Sequence, residues 1–74
     1  MRLETVAIVN LIPISPGETA ARPETRTLYR EISGRLRWYD GDFPVSQVDL
    51  EIQSAIRTAF YLWGRTYNLK IKYP

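Results

Sequence analysis

The sequence predicts a small α+β domain. It reads as a two-layer sandwich with one amphipathic helix, about residues 46–63, packed on a mainly antiparallel sheet of three or four strands. Three observations predict it. A nearly continuous apolar run, Leu3 to Ile12, reads as a strand buried on both faces. The residues Val48, Ile52, Ala55, Ile56, Ala59 and Trp63 recur at three- and four-residue spacing and make one helical stripe. Over Tyr67–Tyr73, apolar and polar residues alternate strictly, which is the period of a strand with one wet face.

Along the chain, LETVAIVNLI carries apolar side chains on both parities, so its strand belongs inside the sheet rather than at an edge. The segment 13–24, PISPGETAARPE, holds three prolines and a glycine and reads as a loop, either a surface crossover or an arm against another chain. Residues 25–39, TRTLYREISGRLRWY, are ambiguous. Alternation places Leu28, Ile32, Leu36 and Trp38 on one face and Tyr29, Glu31, Ser33, Arg35, Arg37 and Tyr39 on the other, and Ser33-Gly34 offers a turn between two strands. A four-residue spacing of Leu28, Ile32 and Leu36 leaves a helix as the rival reading, against which Gly34 counts by about 1 kcal/mol.

Asp40 to Pro44 reads as a turn, with Gly41 supplying positive φ and Pro44 ending any ladder. Ser46 is the expected N-cap, with Asp49 three residues on and Glu51 beside it in the first turn. Gly64 is the expected stop. In the last segment Tyr67, Leu69, Ile71 and Tyr73 face one way, and Lys70 and Lys72 on the other face mark a solvated side and an edge. The order is then strand, strand or hairpin, helix, strand, in one domain spanning residues 1–74.

Composition narrows function. With 45% apolar residues the chain is too hydrophobic for disorder, and its ten Lys plus Arg against eight Asp plus Glu leave a net charge of only +2. It has no Cys and no His, which removes disulfides, thiolate nucleophiles, imidazole bases and the usual zinc ligand sets. The carboxylate pair Asp40/Asp42 flanks a turn glycine, and Asp49/Glu51 suits a helix start, so local structure explains both. Ser15, Ser33, Ser46 and Ser54 have no histidine to activate them, and the sequence holds no phosphate-binding or dinucleotide loop. The expectation is a protein that is not an enzyme and uses neither cofactor nor metal. Val6–Ile14 follows Arg2 as a signal peptide's apolar stretch would, but Glu4 and Asn10 interrupt it, and no run reaches the length of a membrane span. A cytoplasmic protein with no membrane role is expected.

Binding remains. A chain this short, without disulfide or zinc, commonly gains stability from a partner or a second copy. Tyr, Trp and Arg dominate interface hot spots, and Tyr29, Arg35, Arg37, Trp38 and Tyr39 combine all three types in one segment. These five are the candidate contact residues for a larger protein partner or a homo-oligomer. Phe60, Tyr61 and Trp63 form a second candidate interface, because one helix face cannot hide every bulky residue at that end. Arg26, Arg30, Lys70 and Lys72 are candidate phosphate contacts if the same face binds RNA or single-stranded DNA. In size, element order and lack of a catalytic set, the chain resembles compact phage-encoded inhibitors such as anti-CRISPR proteins. No shared motif carries this resemblance, and it implies only a viral, stoichiometric binder.

Overall fold

The computed structural model describes residues 4–14, 23–48 and 51–74. They form β1 (Glu4–Pro13), β2 (Glu24–Arg30), β3 (Leu36–Asp40), β4 (Phe43–Val48), α1 (Ile52–Trp63) and β5 (Tyr67–Lys72). The strands make one sheet in the order β4-β3-β2-β1-β5, and each neighbouring pair is antiparallel. The α+β class is as the sequence predicts. The sheet has five strands rather than three or four, because the 25–39 segment forms a hairpin and β4 is an additional strand.

Two tight turns make β2, β3 and β4 a meander. In the first, the Gly34 N–H donates to the Glu31 carbonyl and the Glu31 N–H to the Arg35 carbonyl, both at 2.8 Å, closing a loop of Ile32, Ser33 and Gly34. Gly34 sits at φ 87°, which only glycine adopts freely, so the hairpin is fixed at that residue. Ile32, expected on the strand face of Leu28, Leu36 and Trp38, lies in this loop and is exposed. In the second turn Asp40 pairs with Phe43 across Gly41-Asp42, with Gly41 at φ 62°.

Strand β4 corrects two expectations. Pro44 does not end the ladder: it lies within an edge strand opposite Tyr39, next to a bulge, where a missing N–H is tolerated. The helix also begins at Ile52, not near Ser46. Ser46 belongs to β4 opposite Trp38, and Val48, four residues before Ile52 and therefore on the helical period, pairs with Leu36. Glu51, in extended conformation, precedes the helix and makes no side-chain capping bond. The expected first-turn position of Asp49 lies outside the described residues. The helix stops at Gly64 as expected, but in right-handed conformation (φ −64°), with its N–H on the Phe60 carbonyl at 2.9 Å.

Alternation builds the core. From β1, Ala7, Val9 and Leu11 point to one face, joined by Leu28 of β2 and by Leu36 and Trp38 of β3. Helix α1 covers that face with Ala55, Ile56 and Ala59, flanked by Ile52 and Trp63. Val6, Tyr67, Leu69 and Ile71 pack around the margin. The small side chains Ala7, Ala55 and Ala59, at most 1% exposed, belong to this core. Trp38 is the largest side chain fully buried, and its ring meets Trp63 edge-on with centroids 5.1 Å apart.

Two outcomes follow for variants. Trp38→Ala should cost about 3–5 kcal/mol in denaturant unfolding, because it empties the centre of the core. Ser46→Ala should leave helix content by circular dichroism unchanged, because the helix starts six residues later at Ile52.

Candidate functional site

The parity that sends Ala7, Val9, Leu28 and Trp38 under the helix sends their neighbours to the other side of the sheet, over which no described helix or strand lies. Cross-strand register orders that face into rows. Thr5, Tyr29 and Arg37 form one row. Tyr39, Thr27, Ile8 and Lys72 form the next, and Thr25, Asn10 and Lys70 the third. Thr25 Oγ1 donates to Asn10 Oδ1 at 3.2 Å within the last row.

Of the five candidate contact residues, Tyr29, Arg37 and Tyr39 meet here. The Tyr29 and Tyr39 rings pack edge to face at 5.1 Å. The Tyr39 hydroxyl donates to Glu31 Oε2 at 2.7 Å, and Arg37 Nε lies 3.8 Å from Glu31 Oε1. Arg35 has the same parity at the hairpin's exit and is exposed. Trp38 is the correction. It is 1% exposed and points into the core, because its parity is that of Leu36 and opposite to Arg37 and Tyr39. A partner on the uncovered face cannot touch its ring.

The candidate phosphate contacts also divide. Lys70 and Lys72 share the uncovered face, on β5 rather than beside β3, so Ile8, Asn10, Thr25 and Thr27 separate them from Arg37. Arg26 and Arg30 have the opposite parity, opposite Val9 and Leu36, and do not belong to this face. Arg26 is held between Glu24 Oε2 at 3.4 Å and Asp40 Oδ1 at 3.3 Å, with its side chain only 15% exposed. Arg30 Nη1 donates to the Gly34 carbonyl at 3.4 Å.

At the end of α1, Phe60 and Tyr61 are exposed, while Trp63 turns inward onto Trp38. Leu62 is exposed beside them, and the Arg65 guanidinium stands 5.7 Å from the Tyr61 ring centroid. The sequence places Glu31 on the parity of Tyr39 but gives it no role in the site. In the structure it fixes both Tyr39 and Arg37. Among the described residues, no group of three or more carboxylate, His or Cys side chains is placed to hold a metal ion, and no helix is long and apolar enough to cross a membrane.

The hydrogen bond to Glu31 raises the Tyr39 pKa above its ordinary 10.0, burial and the Glu31 charge add to the rise, and Arg37 opposes it. No protein-family model, curated protein or solved structure matches the chain.

The folded state therefore holds the Tyr39 proton to higher pH than the unfolded chain does. The resulting stabilisation is complete below about pH 10 and is lost as pH rises through the folded value. Tyr39→Phe should lower the unfolding midpoint at neutral pH and flatten its fall above pH 10, read by thermal melts of both proteins across an alkaline series.

Proposed function

We propose that the chain is a non-enzymatic interaction module whose uncovered sheet face seats on an acidic surface of a larger protein and occludes it. The observation that carries this reading is the sorting of charge by strand parity. Among the described residues of the strands and the β2–β3 hairpin, Arg35, Arg37, Lys70 and Lys72 lie on that face with the carboxylate of Glu31, while Glu4, Glu24 and Asp40 fall on the parity of the core. A net charge near zero for the chain thus becomes a cationic face locally, which steers and orients an anionic partner. Tyr29 adds a half-buried ring whose position the Tyr39 contact fixes, so little ordering is left for the moment of binding. Face-to-face pairing of two copies would bring these cations together, which favours a different protein over self-assembly.

RNA or single-stranded DNA is the second reading, supported by the same cations. Two features weigh against it. The Tyr39 ring is largely buried and its hydroxyl is engaged by Glu31, so it makes a poor stacking platform. The Glu31 carboxylate also sits among the cations that would hold phosphates.

A pull-down from host lysate should capture a specific acidic protein with the wild-type chain and lose it with the triple variant Arg37→Glu, Lys70→Glu, Lys72→Glu, provided circular dichroism of the two agrees. Fluorescence anisotropy of mixed-sequence oligonucleotides separates the second reading. Three phosphate contacts on a single strand would weaken binding roughly 20-fold between about 50 and about 200 mM salt. Oligonucleotide binding with that salt response, and no protein captured, would replace the first reading by the second.

A further inference from the structure

The two edges of the sheet are built differently. The β4 edge carries a bulge at Trp38/Tyr39 and a proline within the strand, both of which discourage a further strand. The β5 edge carries neither. Its six residues, Tyr67–Lys72, pair with β1 in unbroken register, and no described strand pairs with its outer side. Alternate backbone N–H and C=O groups along it therefore point away from the sheet.

The side chains along this edge define what would fit. Lys70 and Lys72 are exposed on one face and two residues apart, a spacing of roughly 7 Å in a strand. On the other face Leu69 and Ile71 are half-buried, and beyond them Tyr73 and Phe60, 63% and 50% exposed, line one depression between the strand's end and the helix. We propose that the outer edge of β5 accepts an extended acidic-apolar strand from a protein partner. Carboxylates at alternate positions of that strand would stand opposite Lys70 and Lys72, and the apolar residues between them would continue the row of Leu69 and Ile71 toward Phe60 and Tyr73. Main-chain hydrogen bonds hold such a strand and the alternating side chains select it. Opposite charges facing across neighbouring strands are favourable and like charges are not, so the two lysines that attract an acidic strand repel a second copy of β5. This inference deepens the protein-partner reading but uses the sheet's edge, which Arg37 does not reach.

The test uses the full chain and a synthetic ten-residue peptide of alternating glutamate and valine, titrated to millimolar concentration and followed by NMR and by hydrogen exchange. Binding should slow exchange of alternate β5 amides. It should weaken at least about tenfold when alternate peptide nitrogens are methylated, and pass to a lysine–valine peptide when Lys70→Glu and Lys72→Glu are combined. Arg37→Glu should leave it unchanged, so the edge can hold while the face reading fails, or the reverse. Equal binding of the methylated peptide would reduce the contact to charge attraction and overturn the proposal. So would the absence of binding to the folded chain, or sedimentation as a dimer whose β5 amides are already protected by a second copy.

Discussion

One indole decides how this sheet is used. Trp38 is buried between β3 and the end of α1, edge-on to Trp63, and this contact ties a strand near one edge of the sheet to the close of the only described helix. In an extended strand a residue cannot turn inward without turning its neighbours outward. Seating Trp38 in the core therefore presents Arg37 and Tyr39 on the opposite face, in register with Tyr29 and Thr27. Core and candidate face are two sides of one strand. A slip of one residue would bury a guanidinium and expose the indole together, so the hydrophobic burial that stabilises the fold also fixes the register of the surface.

Around that contact the helix does its work with little material. Two of its buried residues are alanines, and Ala7 of β1 in the same core is fully buried too. These small residues share the core with the tryptophan pair at one end of the helix. The helix covers one face of the sheet with a narrow stripe, and its remaining bulky residues, Phe60, Tyr61 and Leu62, stay outside. A domain of this size has more apolar side chains than one small core can enclose, and the excess collects at the helix end and along the edge strands.

Much of the fold was legible because burial on one face imposes a period. The alternation in Tyr67–Lys72, the double-sided apolar run of β1 and the stripe from Ile52 to Trp63 each map onto the element they predicted. What failed did so where two periods fit the same residues. Val48 lies one helical turn before Ile52 and also opposite Leu36 in a strand, and only the presence of β3 beside it decides for the strand. Ser46 followed by Asp49 looks like a capping box for the same reason: local chemistry suited a helix start, and the sheet took the residue first. At the site, parity already separated Trp38 from Arg37 and Tyr39, but composition grouped them, because Trp, Tyr and Arg share a preference for interfaces without sharing a side of the strand. Arg26 and Arg30 were separable by parity in the same way. The hold of Glu31 on Tyr39 was not, since it depends on the hairpin closing at Gly34.

The meander β1 to β4 is made of neighbours in sequence, whereas β5 returns across the helix to pair with β1, matching Ile8 with Lys72 and Pro13 with Tyr67. Because the two strands run in opposite directions, the chain enters β1 and leaves β5 at the same end of their ladder. Tension applied between residue 4 and residue 72 would load the hydrogen bonds of that ladder one after another, as in opening a zipper, instead of shearing them all at once. The fold should yield mechanically at low force from these two points. Its first intermediate would be the four-stranded meander with β5 peeled away, and the apolar row of Ala7, Val9 and Leu11 would lose its neighbours Leu69 and Ile71 before it loses the helix.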